Sequence, residues 1–417
     1  MRCRAPHVRH GDPQSRQHPP EDAGRSRRVE VDLPVTTLPL DGILVADFSR
    51  VLAGPFCTQL LADQGARVIK VEEPQRGDET RHWGPPFLGE TSTYFLSVNR
   101  NKESLAIDLR TDEGAELARL LIARADVVVE NFLPAQRAML LPEIGDDKIH
   151  CSITGYDADT KEADTPGYDL LAQAGAGLMS ITGDPTGDPM KTGVALTDIL
   201  TAQYAHGAIC AALYAREKSG RGARIEVSLF AATLASLVHV AQGALSTGNE
   251  AQRYGNGHPS IVPYGVFHAR DRIFAMGGAT DRHFILLCER VIERPELARD
   301  ERFATNAKRV VNRDTLLAIL DDIFRTREAS EWIARCRAAS IPVSLVEGVL
   351  EALRSEIARP LIARVEHPAI GSYDTVKNPV RFDHDRLPIR RPPPMLGEQT
   401  EALIREIREG APRSKRQ

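Results

Sequence analysis

Residues 43–71 read ILVADFSRVLAGPFCTQLLADQGARVIKV, and this stretch decides the fold. The run 43–48 has the length and branching of a buried strand, 55–64 carries apolar residues at helical spacing, and 67–71 is a second short apolar run. Strand, helix and strand in so short a span make a βαβ unit, whose crossover joins two parallel strands. Gly65 stands where the helix should end, because glycine accepts the left-handed conformation of a C-terminal cap.

Outward from this unit the alternation continues. The pattern predicts a helix over 112–125, strands over 126–129, 148–154 and 224–229, and a long helix opening near Asp198. Such a series implies an α/β chain with a doubly wound, Rossmann-like parallel sheet. Residues 253–271, RYGNGHPSIVPYGVFHARD, are dense in Gly and Pro and read as a loop. Around it, strand and helix signals at 273–276, 283–292 and 315–324 suggest a smaller α+β domain over 226–345. The large domain then takes 38–225 and regains the chain over 346–417, which ends in a helix after the run RPPPMLGEQTEALI. Residues 1–37, rich in Arg, Pro and His without periodicity, are expected to be a disordered extension.

Bulk properties exclude several classes. A net charge of −4 over 417 residues argues against a protein that binds nucleic acid by neutralising phosphates. The six cysteines are scattered, with no pair at metal-ligand or redox spacing, so no metal is expected and the thiols suit a reducing cytoplasm. No apolar run approaches the roughly 20 residues that span a bilayer, and the N-terminus lacks a signal-peptide core. The expectation is a soluble cytoplasmic protein that does not meet the membrane.

The turn after the first strand, SRVLAGPF (49–56), has one glycine and places Pro55 where a dinucleotide fingerprint needs a flexible backbone. NAD and FAD are discounted, although ligands should still gather at the carboxyl ends of the strands. Two readings stand for Asp198: a helix cap, or a carboxylate nucleophile. Gly255 and Gly257 read as turn formers. Asp169 reads as a cap of the helix that follows it. Ile107 and Phe132 are core residues or a surface for a flat ring, while Arg110 is a solvated cation or a phosphate ligand.

Several motifs together decide among these. PLDGILVADFSRVLAGPFCTQLLADQGARVIKVEEPQRGDETR, NRNKESLAIDLRT, ADVVVENFLP, GYDLLAQA, the Asp198 segment with its KSGRG end, GNGHPSIVPYGVF and PMLGEQT follow in an order and spacing that resembles the class III coenzyme A transferases over about 38–405. That family includes formyl-CoA transferase and carnitine CoA-transferase, with the α-methylacyl-CoA racemases as relatives. The resemblance implies an interlocked homodimer that uses acyl-CoA and a small carboxylic acid as substrates, without a prosthetic group. Asp198 falls at the position of the nucleophilic aspartate, which attacks the thioester to give a mixed anhydride and then an aspartyl-CoA thioester. Nearness to a helix N-terminus is expected to keep it ionised.

By the same resemblance, Gly255 and Gly257 belong to the glycine loop over the nucleophile, with His258 as a polar neighbour. Asp169 and Tyr168 lie near the acyl group. Val51, Leu52, Ala53, Ile107, Arg110, Asn131 and Phe132 fall at CoA-contacting positions, and Trp83 and Tyr94 at the acyl pocket. The chain departs from formyl-CoA transferase at Glu73 and Met139, where that enzyme has arginines, and at Pro166, where it has a lysine. Phosphate contacts would then come from Arg137, Arg50 or Lys102. Leu52 replaces an active-site glutamine, which points away from formyl and oxalate toward a less polar acyl group. In the racemases a histidine base precedes the aspartate, whereas here it is Tyr168; a tyrosine ordinarily titrates near 10 and suits proton abstraction poorly. The expected activity is CoA transfer, with an acyl-CoA racemase or epimerase, or a non-catalytic CoA-binding protein, as alternatives.

Overall fold

The structure is a computed structural model that describes residues 38–278 and 280–410. The extension expected over 1–37 lies outside the described residues. Six parallel strands form the main sheet: β1 (Leu44–Asp47), β2 (Arg67–Glu72), β3 (Lys102–Ala106), β4 (Val127–Glu130), β5 (Ile149–Thr154) and β6 (Ala223–Ser228). Their order is β3-β2-β1-β4-β5-β6. β1 lies at the centre, with Leu44 opposite Arg67 of β2 and Val45 opposite Val127 of β4. The direction of winding reverses between β1 and β4, which opens a crevice at their carboxyl ends.

Both faces of this sheet are covered, so its strands read as near-continuous apolar runs. Successive residues point to opposite faces. Leu44, Ala46 and Phe48 pack with Ile69, Leu105 and the helix α2 (Asp112–Arg124), joined there by Leu403 and Ile407 of the C-terminal helix. Val45, Val127 and Val129 face the other way, onto α1 (Ala53–Asp63) and the long helix α4 (Leu196–Ser219) through Leu61, Ala202, Ala205 and Ile209. A short helix α3 (Asp169–Gly175) packs beside α4. Gly65 follows α1 at φ +112°, as its sequence position requires; a Cβ there would meet that of Leu38 at 2.5 Å.

A three-stranded antiparallel sheet, Tyr264–His268, Ile273–Gly277 and Val343–Leu345, carries a second core. Phe274, Phe324 and Trp332 meet edge to face at its centre, at centroid distances of 5.1 and 5.2 Å.

The strand β3 is absent from the sequence reading because its first residues, Lys102 and Glu103, break the apolar run. Lys102 is buried nevertheless, paired with Asp47 at 3.2 Å. As an edge strand, β3 presents backbone N–H groups that need partners. Ser104 N donates to Gln399 Oε1 at 2.8 Å and Ala106 N to Thr400 Oγ1 at 2.9 Å, so the start of the C-terminal helix covers the edge.

Candidate active site

At the end of β1 the chain enters a tight turn. Asp47, fully buried, accepts bonds from Ser49 N at 3.0 Å and Thr58 Oγ1 at 2.6 Å. Gly54 must be glycine, since a Cβ there would lie 2.2 Å from that of Ser49. Val51 takes φ +71°, a conformation that is sterically costly for a β-branched residue. Its N–H reaches both carboxylate oxygens of Asp78 at 3.3 Å. Helix α1 then begins without a side-chain cap, and Leu52 and Ala53 at its start border the crevice.

Beyond β4, Asn131 stitches the two strand ends together. Its Oδ1 accepts from Arg50 N at 2.9 Å and its Nδ2 donates to Arg50 O at 2.8 Å. Phe132 N donates to Glu130 Oε2 at 2.8 Å, and the Arg50 guanidinium lies 5.6 Å from the Phe132 ring centre.

Two adjoining clefts result. The first, about 290 Å³, is lined by Val51, Leu52, Ala53, Asn131, Phe132, Tyr168 and Asp198, among others. The second, about 240 Å³, is lined by Ile107, Arg110, Glu73 and again Arg50 and Phe132. Arg50 and Phe132 therefore form the wall between them. Of the residues singled out in the sequence, these eleven stand around one continuous crevice at the winding reversal. Arg110 is largely exposed and tied to its neighbour Asp108 at 2.8 Å. Trp83 and Tyr94 meet edge to face at 5.3 Å. Burial, with the carboxylates of Asp198, Asp169 and Asp78, pushes the Tyr94 phenol up to about 12, and neither ring is among the residues that line the two clefts.

Asp198 is the third residue of α4, and Ala195 occupies the cap position without any side-chain bond. The cap reading of Asp198 is therefore wrong. The neighbouring Asp169 holds that helix start instead: it accepts from Thr197 N at 2.9 Å, Thr197 Oγ1 at 2.7 Å and Gln173 Nε2 at 2.7 Å. Nor does Asp169 cap its own helix, whose cap position is Tyr168. Among the described residues none donates a hydrogen bond to the Asp198 carboxylate. Burial, and then the Asp169 charge, push its carboxyl up to about 7. This corrects the expectation that the helix terminus keeps it ionised. A helix dipole contributes about 0.3–1 kcal/mol at such a site, whereas each pKa unit corresponds to ~1.4 kcal/mol.

Lys102 cannot reach a phosphate, because its ammonium is sealed between Asp47, Asn99 Oδ1 at 2.9 Å and Pro55 O at 2.8 Å. Arg137 lies 3.6 Å from Glu130 and donates to Ser152 at 3.1 Å. Arg50 alone of the three borders both clefts; its Nη1 lies 3.4 Å from Glu79, and its Nε is buried without a partner among the described residues. Gly255, at φ +58°, and Gly257 line a different cleft of about 800 Å³ with Arg253, Tyr254 and Arg313. Within one chain the glycine loop is thus not part of the Asp198 cleft. His258 stacks on His239 at 5.9 Å and meets Tyr264 at 5.6 Å, and it too lines neither cleft at Asp198.

Sequence reasoning missed the carboxylates behind the crevice. Asp78, in the GDETR run, is fully buried and paired with Lys70 at 2.8 Å; local sequence gives no sign separating it from a solvated aspartate in a charged loop. Gly155 and Gly167 were also passed over. They touch so closely that a Cβ on Gly167 would lie 2.2 Å from Gly155 Cα, and this contact brings Tyr168 to the end of β5.

Comparison with known proteins agrees with this geometry. The model of CoA-transferase family III matches residues 40–400. Human succinyl-CoA:glutarate CoA-transferase is 39% identical over 381 residues, covering 88% of this chain and 86% of that protein. Acetyl-CoA:oxalate CoA-transferase of Acetobacter aceti is 38% identical, covering 90% of this chain and 97% of its own length. The crystal structure of a CAIB/BAIF family protein from Brucella suis superposes with a TM-score of 0.79 at 36% identity, covering 89% of this chain and all of that one. The chain belongs to CoA-transferase family III and is a CoA-transferase acting on an acyl-CoA and a carboxylic acid.

Proposed function

We propose that this enzyme moves CoA to a short carboxylic acid through covalent intermediates on Asp198. The observation that carries this reading is the contrast within the crevice: Asp198 lines the first cleft without a hydrogen-bond donor, while Asp169 takes three. A partly desolvated, unpaired carboxylate retains its nucleophilicity. Its oxygen attacks the thioester carbonyl, the C–S bond breaks, and a mixed anhydride forms with release of CoA thiolate. The thiolate then attacks the aspartyl carbonyl and expels the donor acid. The acceptor carboxylate attacks the resulting aspartyl thioester, again releasing thiolate, which takes the acceptor acyl group and returns Asp198 as carboxylate. The uncapped start of α1 borders the cleft, and an N–H group there would suit a developing oxyanion.

We assign CoA to the second cleft and its wall, with Ile107 and Phe132 against the adenine and Arg50 toward the phosphates. The relatives above are named for succinate, glutarate and oxalate, and we infer a short dicarboxylic acid in preference to the less polar acyl group suggested by Leu52. A homodimer completes the proposal: the loop of Gly255 and Gly257 would close on an Asp198 cleft only in the assembly. Racemisation has no supporting observation, since Tyr168 occupies the place of the base.

Purified enzyme incubated with succinyl-CoA and a panel of dicarboxylic acids, with hydroxylamine trapping, tests the mechanism. A hydroxamate at Asp198 is the expected product. Full exchange by Asp198→Ala, or α-deuterium uptake without exchange, would overturn it.

A further inference from the structure

The first cleft owes its shape to a backbone conformation that valine resists. Val51 at φ +71° is the residue whose left-handed turn swings the chain from β1 into α1, and its side chain lines the cleft. A β-branched residue in this region costs on the order of 1–3 kcal/mol and persists where its surroundings over-determine it. The surroundings here are ionic. Asp78 receives the Val51 N–H at 3.3 Å to each oxygen, and Thr80 N and Oγ1 at 3.0 and 2.8 Å. Lys70 pairs with Asp78 at 2.8 Å and also donates to Ser49 O at 2.9 Å, two residues before Val51. Both side chains are wholly buried. One ion pair therefore grips the turn at Ser49 and at the strained residue itself. Neither charge lines the first cleft, where the reaction is placed, although both border the second, to which CoA is assigned.

We propose that the Lys70–Asp78 pair is a positioning device, which holds Val51 in its left-handed turn and so sets the start of α1 against the reacting thioester. Glu72 extends the device outward. It accepts the backbone N–H of Asp78 at 3.0 Å and clasps Arg81 through two bonds of 2.8 Å. With the grip removed, Val51 relaxes toward negative φ and the turn shifts by a fraction of a residue length. A displacement of about 1 Å at reacting groups can cost ~100-fold in rate. A glycine at position 51 adopts the left-handed turn without steric cost. This makes the role separable from simple core stability.

The inference rests on the first cleft being the reaction site, and the test keeps the two apart by scoring variants against wild-type exchange. In Asp78→Asn, kcat for CoA exchange is expected to fall about 10- to 100-fold, with KM for acyl-CoA changing about threefold or less. Val51→Gly alone is measured as the reference for the double variant, since Val51 itself borders the cleft. The double variant Asp78→Asn/Val51→Gly should recover about tenfold over Asp78→Asn, although glycine lowers stability elsewhere. A pair that merely stabilises the fold predicts the reverse, with the double variant no more active than the single. That result, or Asp78→Asn within twofold of wild type, would overturn the proposal. Should Asp78→Asn not fold, Asp78→Glu, which keeps the charge and displaces the carboxylate by one methylene, is read with the same glycine partner and the same two outcomes. Loss of exchange in Asp198→Ala bears on the nucleophile alone and leaves this rescue ratio untouched.

Discussion

Two sets of buried charges lie on either side of the 49–53 turn, and they are built on opposite rules. Behind the turn, Asp47, Lys70, Asp78 and Lys102 are fully buried, and each carboxylate has an ammonium and hydroxyl or amide donors. Against burial, which would raise it, Lys70 and Thr80 hold the Asp78 carboxyl down at about 2. In front of the turn, Asp198 has a carboxylate for a neighbour and no donor, and it is pushed up to about 7. Both regions are withdrawn from water, the first wholly and Asp198 in part. Pairing is what separates a charge that braces the fold from one left available for chemistry.

The sharpest way to break this comparison is at Asp198. Asp198→Ala should lower CoA exchange by about 10⁴-fold or more and abolish the trappable adduct. Asp198→Asn should do so while stabilising the fold. The sign follows from linkage: the native state holds this proton more tightly than the unfolded chain, so stability falls as pH rises from about 4 to about 7, and the full cost is present above that. Removing the charge should regain ~2 kcal/mol at pH 8, after allowance for partial solvation, and nothing at pH 4, as read from melting at both pH values.

The opposite region predicts the opposite outcome. Lys102→Met strands the buried Asp47 charge and should cost about 3–5 kcal/mol in denaturant unfolding, with Asp47→Asn in the same chain restoring much of it. A smaller effect concerns the charge between the two aspartates. Activity should rise with pH around an apparent midpoint of about 7, and Asp169→Asn should move that midpoint downward by about one unit or less, because burial is the larger cause. A midpoint unmoved by Asp169→Asn would detach the two carboxylates. Smallest of all is Arg110→Ala. This exposed side chain already pairs with Asp108, so KM for acyl-CoA should change by about twofold.

The same contrast explains what could be read before the structure. Apolar runs at 43–48, 67–71 and 148–154 announced the sheet because both of its faces are covered. Lys102–Ala106 did not, since its buried lysine needs a partner 55 residues away in sequence. At the crevice, the residues that line it were legible through the family resemblance, while those that hold it were not. Asp78 acts through burial and contact with Val51, neither of which has a local signature. The role of Asp169 at the start of α4 has no local signature either, because only the fold brings Thr197 to it. The glycine loop keeps its distance from Asp198 within a single chain, a relation that no reading of one sequence supplies.

The covering of β3 also has a consequence for how the chain is made. Ser104 and Gln399, which close the edge, are separated by 295 positions in sequence. At ribosomal speed that interval lasts roughly 15–60 s. Throughout it the nascent sheet carries an open edge able to template pairing with a neighbouring chain. The last helix therefore serves as a late-arriving latch. Aggregation during synthesis should depend on how quickly it arrives, more than on the strength of the sheet it finally covers.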